Sequence, residues 1–278
     1  MIYISKRNDR IGMRLYATIR TIYYCQSKNL NYRHVSLSDN KNEYKEYDKL
    51  FNFDKKYKTI TNKKNLKKNK NIKNIGYKWG LLLKAENDDY KTKNFIKYRN
   101  SLINLYKKSN LYKNVYNTNQ INICVHYRRG DCNNFNKTNG IKYQRRKRRY
   151  TPDNYINQII TKLNKYMKDL PINIHIHSDS TLNISNLIKC KHNFNIHTHF
   201  DNSAIESLNC MIQCDILFRY GLSSFSGVAA FYNTNVVISK IGNEFNDLYN
   251  YNNVYNFSKC GNILRKRSKK YKVMNKSI

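Results

Sequence analysis

Two short stretches carry side chains able to do chemistry together. The first, Ile121 to Asp131, reads Ile-Asn-Ile-Cys-Val-His-Tyr-Arg-Arg-Gly-Asp. Ile121, Ile123 and Val125 alternate with Asn122, Cys124 and His126, the period of a short strand. The strand runs straight into Arg128 and Arg129, then Gly130, which permits a sharp turn with positive φ, and Asp131. Arginines at the C-terminal end of a buried strand stand where open α/β sheets bind ligands, and the planar guanidinium fork suits phosphate oxygens. Alone, an Arg-Gly-Asp at a strand end also fits a solvated ion pair of little energetic worth.

The second stretch, Ile205 to Asn233, favours the chemical reading. Leu208, Met211, Ile212 and Asp215 follow helical spacing, Ile216 to Tyr220 read as a strand, and Ser223-Ser224-Phe225-Ser226 open another helix. A hydroxyl-rich turn leading into a helix N-terminus offers unpaired N–H groups and a favourable dipole, an anion site. Paired with the arginines it makes a cradle for a diphosphate.

The elements that must hold these residues follow from periodicity. Ile2-Tyr3-Ile4 is a candidate first strand; Leu15, Ile19, Ile22 and Tyr23 mark a helix running to about Leu30; Tyr32 to Leu37 alternate as a second strand. This β–loop–α–β opening starts a Rossmann-like sheet, and its Gly12 turn either holds a ligand or merely lets the chain turn. Residues 39–74 read as polar loops and short helices, with the Lys63–Lys73 run solvated. Trp79 to Leu83 form a small apolar patch, Phe95 to Leu111 a helix, and Asn114 to Gln120 a linker. Thr151-Pro152-Asp153 reads as a helix start with a hydroxyl N-cap, and Tyr155, Ile156, Ile159, Ile160, Leu163 and Met167 as its buried face. Ile172 to His177 alternate as a strand ending in Ser178-Asp179-Ser180; Phe194 to His199 and Asn235 to Ser239 are further strands. His175 and His177 share one face with no third metal ligand apparent. The basic tail from Leu264 to Lys276 reads as frayed or surface-bound.

Composition bounds the rest. The 278 residues carry a formal net charge of +34, which suggests a polyanionic partner. Enrichment in Lys, Asn, Ile and Tyr, the residues of AT-rich codons, accounts for much of that charge without one. The run Lys142 to Tyr150, with Arg145 to Arg149 at its heart, is either a mobile loop or a contact for an anion, an acceptor or RNA. The sequence has no apolar run long enough to span a bilayer and no apolar leader after Met1. Seven cysteines, an odd number without Cys-x-x-Cys pairs, argue against a disulfide framework or a zinc site and suit a cytoplasmic protein with free thiols.

The segment His126-Tyr127-Arg128-Arg129-Gly130-Asp131 resembles the His-x-Arg-Arg-Gly-Asp motif of the α1,2/α1,6/protein O-fucosyltransferase superfamily. Ser223-Ser224-Phe225-Ser226 with Ala229-Ala230 resembles its late Ser-Ser-Phe-Ser motif, and Asn8-Asp9-Arg10-Ile11-Gly12-Met13-Arg14-Leu15 is similar to its Gly-rich opening loop. The resemblance implies an α/β, GT-B-like fold, with two Rossmann-like domains, 1–117 on the acceptor side and 118–278 on the nucleotide-sugar side, facing each other across a cleft. It implies GDP-fucose as donor and a glycan or glycoconjugate as acceptor; it is the hydropathy of the chain that speaks against a transmembrane segment, and its codon-biased composition that leaves no clear role for nucleic acid. Golgi members carry a signal anchor, so this chain stands closer to bacterial-type or viral-type enzymes.

The resemblance also assigns roles. Arg128 would hold the β-phosphate, with Arg129 ordering the loop; Ser223, Ser224 and Phe225, with Ser226 behind them, would close over the phosphates. His126 would lie by the ribose or phosphate, and Ser178-Asp179 at the nucleoside edge. Glu206 would read purine N–H groups, and Asn8, Arg10, Gly12 and Arg14 would form the opening loop. Asp131 and Asp9 are the candidates for general base. No two aspartates stand two apart, so Asp-x-Asp metal binding is not expected, and arginine and helix-terminus donors would stabilise the leaving diphosphate instead. No cofactor beyond the donor is implied. Two alternatives stay open: a basic nucleic-acid-binding protein, and a non-catalytic sugar-nucleotide binder.

Overall fold

The computed structural model describes residues 1–7, 10–37, 44–60, 70–76, 78, 93–116, 119–129, 132, 149–181, 188–200, 202–240 and 253–274. Asn8, Asp9, Gly130, Asp131, the 79–83 patch and residues 142–148 of the basic run lie outside them. Two parallel sheets with helices make it an α/β protein, and the described chain divides into two compact units.

The first unit comprises Met1–Asn114 together with Gly227–Tyr232. Its sheet has the order β2-β1-β3, with β1 (Ile2–Ile4) paired in parallel to β2 (Asn31–Tyr32) and β3 (Ile72–Asn74). Between β1 and β2 runs α1 (Ile11–Ser27), which buries Leu15, Ile19, Ile22 and Tyr23. The second strand is shorter than its alternation suggests: past Arg33 the backbone leaves β1, and His34 forms a parallel bridge with Thr59, its N–H donating to the Lys58 carbonyl (3.0 Å). The Asp48 carboxylate accepts from the Leu37 N–H (2.9 Å), the Ser36 hydroxyl (2.5 Å) and His34 Nε2 (2.9 Å). β3 sits inside the lysine-rich stretch and has one apolar residue, Ile72, so alternation could not reveal it. Short helices α2 (Lys45–Phe51) and α3 (Phe53–Lys56) and the longer α4 (Lys93–Lys107) complete the unit. Their core is aromatic: Phe51 lies 4.7 Å from Tyr232 and Tyr23 lies 4.9 Å from Phe95, ring centre to ring centre.

The second unit begins at Val115 and holds a six-stranded sheet, every pairing of which is parallel. Its strands are β4 (Ile121–His126), β5 (Ile172–His177), β6 (Asn195–His199), β7 (Ile216–Tyr220), β8 (Val236–Lys240) and β9 (Val254–Asn256). They lie in the order β6-β5-β4-β7-β8-β9. Counted within the unit, that is 3-2-1-4-5-6, the doubly wound order that reverses direction between its first and fourth strands. Its helices are α5 (Asn154–Met167), α6 (Ala204–Gln213) and α8 (Cys260–Met274), while α7 (Ser224–Tyr232) begins in this unit and from Gly227 onward is counted with the first.

One sheet face, formed by Ile121, Ile123, Val125, Ile172, Ile174 and Ile176, packs against Ile156, Ile159, Ile160 and Leu163 of α5 and Cys260 and Leu264 of α8. On the other face the Tyr116 hydroxyl bonds Cys124 Sγ (2.9 Å) and the Cys210 carbonyl (3.1 Å), which ties α6 to β4. All six residues of β4 are therefore buried, Asn122 included, since its side chain takes a hydrogen bond from Asn173 and gives one to Gln120. α8 decides between the two readings of the C-terminal tail, against fraying and for a surface-bound segment. Its cations stand on a helix whose Cys260 and Leu264 are wholly buried, so one apolar edge is enough to hold it on the core. None of the seven cysteines is in a disulfide, and no helix among the described residues is long and apolar enough to cross a membrane.

Candidate functional site

The reversal point of the second sheet lies between β4 and β7, and open α/β sheets bind ligands in the crevice at the C-terminal ends of such strands. His126 ends β4, with His177 beside it on β5 and Arg219 beside it on β7. It is 5 % exposed, and its ring centre lies 6.1 Å from that of Phe225 at the start of α7. Burial, then the cations of Arg128 and Arg219, push its imidazole down to about 3, so it is neutral at pH 7. Its Nδ1 is buried and has no hydrogen-bond partner among the described residues. A buried polar atom of that kind is what a ligand group would satisfy.

The two arginines that follow are held differently. Arg128 is clamped through its backbone: its N–H donates to Thr151 Oγ1 (3.1 Å), and the Thr151 N–H donates back to the Arg128 carbonyl (3.2 Å). Its guanidinium stands 3.5 Å from the Asp179 carboxylate and keeps 14 % of its side-chain surface. Arg129 is part of the wall. Its guanidinium lies between the rings of Tyr127 (4.5 Å) and Tyr150 (4.0 Å), donates to the Tyr127 hydroxyl and ion-pairs with Asp153. The Tyr127 hydroxyl also donates to Asp153 (2.7 Å). Asp179 joins the pair, since its second oxygen accepts the Arg129 N–H at 2.9 Å.

These bonds correct the reading of the helix start. Thr151 is fully buried and spends its hydroxyl on Arg128, while Asp153 faces Arg129 and Tyr127, so α5 begins only at Asn154.

Across the reversal point, β7 ends in Arg219-Tyr220 and turns through Gly221, whose φ of 62° is costly for any residue with a Cβ. Ser223 and Ser226 face inward, 4 % and 0 % exposed, with the Ser226 hydroxyl on the Ser223 carbonyl (3.3 Å). Ser224 and Phe225 keep partial exposure. The structure thus brings His126, Arg128, Arg129, Asp179 and Phe225 to one end of the sheet. Ser178 sits at the end of β5, its N–H near the His199 carbonyl (3.4 Å) and its hydroxyl accepting the Ser180 N–H (3.4 Å).

Glu206 has a local occupation. It forms a capping box with Ser203 at the start of α6, accepting the Ser203 N–H at 3.0 Å while Ser203 Oγ accepts the Glu206 N–H at 3.3 Å. In the first unit Arg10 precedes α1 as its N-cap residue, Gly12 is buried, and Arg14 donates to the Leu37 carbonyl (2.9 Å) with its guanidinium 5.1 Å from the Tyr44 ring centre.

The strand histidines form a ladder across β5 and β6. His177 stacks on His199 (4.5 Å) and His175 on His197 (4.9 Å), and His175 Nδ1 meets His199 Nε2 at 3.0 Å. Among the described residues no three His, Cys, Asp or Glu side chains are arranged to hold a metal ion.

Tyr127, Tyr150, Thr151, Asp153 and Arg219 were not legible as site residues in the sequence. The signal for Arg219 was there: a cation at the fourth position of Ile-Leu-Phe-Arg-Tyr, a strand otherwise apolar enough to be buried.

No family model matches the sequence, and no curated protein matches it. Among solved structures, the chain is similar to the crystal structure of NodZ alpha-1,6-fucosyltransferase soaked with GDP-fucose. The likeness spans 83% of this chain and 92% of that one, at 11% identity and a TM-score of 0.41. A likeness of that degree leaves the activity to be argued from the site itself.

Proposed function

We propose that the second unit binds a nucleoside diphosphate sugar and that the chain is a glycosyltransferase, a fucosyltransferase using GDP-fucose by the resemblance of its two motifs. One observation carries the reading: a clamped, partly exposed Arg128, a neutral His126 with a buried nitrogen unsatisfied among the described residues, and the N-terminus of α7 share the reversal point of a doubly wound sheet. Arg128 neutralises the β-phosphate as the glycosidic bond breaks and negative charge gathers on the departing diphosphate. The Ser224 end of α7 offers N–H donors to the same charge. His126, being neutral, can donate or accept at a ribose or phosphate oxygen without adding charge. Asp179 holds Arg128 in place. The acceptor hydroxyl attacks from the opposite side with inversion, its proton taken by a carboxylate for which Asp131 is the proposed base. With phosphate charge met by guanidinium and backbone, transfer is metal-independent in this reading.

Thermal shift with a nucleotide panel tests this. GDP and GDP-fucose should raise the melting temperature, by mass action on the folded state, where UDP and ADP do not. No response to any nucleoside diphosphate would sink the proposal. Transfer that is abolished by EDTA and restored by manganese would refute the metal-independent chemistry alone.

A second reading, a polyanion-binding surface, has one observation in its favour. Arg265, Lys266, Lys269, Lys270 and Lys272 stand exposed along α8 with no acidic residue in the helix.

A further inference from the structure

Arg219 is the largest wholly buried side chain among the described residues, at 0 % exposure. Its guanidinium folds back over the end of its own strand, where Nη2 donates to the carbonyl of Gly221 (3.4 Å) and to that of Ser223 (3.3 Å). Those two carbonyls belong to the turn that leads into α7, the Ser223 one to the peptide unit that opens the helix. A trans peptide is planar, with its C=O and the following N–H pointing in opposite directions. Drawing the Gly221 and Ser223 carbonyls inward therefore turns the N–H groups of Leu222 and Ser224 outward. Gly221 supplies the left-handed φ of 62° that lets the chain reverse there. The ligand-facing sign is independent of the turn itself: His126, in register with Arg219 on the adjacent strand and beside Phe225, is 5 % exposed with a buried Nδ1 lacking a partner among the described residues.

We infer that Arg219 is a positioning residue for diphosphate recognition: through the Gly221 and Ser223 carbonyls it aims the Leu222 and Ser224 N–H groups at the phosphate oxygens. It acts through the backbone and does not touch the ligand. The inference rests on the donor-site reading above. It narrows that reading to a diphosphate held by main-chain donors on the β7 side and by Arg128 on the β4 side.

The test titrates the ¹⁵N-labelled full chain with inorganic pyrophosphate and, separately, with GDP. The Leu222 and Ser224 amide resonances should move on adding pyrophosphate, and resonances that stay still overturn the inference. Pyrophosphate binding without GDP binding would refute the nucleotide-sugar reading while upholding the role of Arg219. Arg219→Met, close in length but without donors, should weaken pyrophosphate binding by about ten-fold, the equivalent of one good hydrogen bond to charge. It should also speed amide exchange across residues 221–226. Arg219→Lys should recover part of both, since an ammonium can donate to two carbonyls. An Arg219→Met protein that binds pyrophosphate as the wild type does overturns the inference. If that variant does not fold, the wild-type amide titration and Arg219→Lys decide the matter. Unchanged amide shifts, or a lysine variant with slower exchange at the turn than wild type, count against it.

Discussion

Arg128 and Arg129 are neighbours in sequence with separate duties, and the difference lies in what each guanidinium touches. Arg129 is spent on Tyr127, Tyr150 and Asp153, whereas the Arg128 guanidinium stands 3.5 Å from Asp179 and keeps part of its surface. If Arg128 meets charge that develops as the donor breaks, Arg128→Ala should lower turnover by on the order of 10²–10³ and weaken GDP binding far less. Arg128→Lys should rescue poorly, since a point-like ammonium cannot reproduce a planar fork. Substituting Arg145 to Arg149 should leave donor hydrolysis intact. Near-normal turnover in Arg128→Ala, measured at matched GDP-fucose beside wild type, would put the donor site elsewhere.

The buried imidazoles give a second residue-level prediction. Burial pushes His126 down to about 3 and His175 to about 4, and lowers His177 and His199, each from an ordinary value of 6.5. The unfolded chain therefore binds more protons than the folded one below 6.5. Stability is full above that value and falls as the pH drops toward 4. His126 alone should contribute a slope of about 1.4 kcal/mol per pH unit once well below 6.5. Urea melts between pH 7.5 and 5 should show this, with a shallower slope in His126→Gln; a flat wild-type profile would contradict the burial of these rings.

At the scale of elements, Glu206 poses a choice that a single substitution resolves. Its carboxylate caps α6, and a glutamine at the same position keeps the capping box. Glu206→Gln should thus change stability by less than about 1 kcal/mol, mostly through the lost charge at a helix N-terminus. If Glu206 also reads purine N–H groups, the variant should lose its preference for GDP over ADP in a binding assay. Unchanged preference would leave it a cap and nothing more. That choice could not be read from sequence, where one glutamate looks the same in either role.

Other elements were legible because their periodicity was strong. The buried face of α5 was readable as Tyr155, Ile156, Ile159, Ile160, Leu163 and Met167, and those are the residues buried. β4, β5 and β7 were readable from branched and aromatic runs. What escaped depended on partners distant in sequence: β3 exists because β1 pairs with it, and Thr151 leaves its helix because Arg128 takes its hydroxyl. α8 escaped for a different reason, since six cations in fifteen residues mask the apolar edge that Cys260 and Leu264 supply. Leu264→Ala should show how much that edge matters, costing about 2–5 kcal/mol as a fully buried leucine does. A loss below 1 kcal/mol in urea unfolding would mean the helix is only loosely held.

For the whole molecule the question is whether a net charge of +34 serves a polymer or is only the background on which a small site works. The two cases differ in salt dependence. A polyanion bound along the exposed α8 cations would release counterions in proportion to the phosphates neutralised, so log K would fall with log salt at roughly −0.7 per contact for a single strand. A nucleoside diphosphate held by Arg128 and the α7 N-terminus carries few charges, and its affinity should fall by less than about ten-fold between 50 and 200 mM salt. The sharper comparison is a variant, Lys266→Glu with Lys269→Glu and Lys270→Glu, which reverses charge on α8 and leaves its buried edge intact. It should bind GDP as the wild type does while losing whatever oligonucleotide affinity the wild type shows by fluorescence anisotropy. Loss of GDP binding together with oligonucleotide binding would make the nucleotide site part of one continuous basic surface. Tight oligonucleotide binding in the wild type, with no response to GDP at any salt concentration, would set the glycosyltransferase reading aside in favour of the polymer.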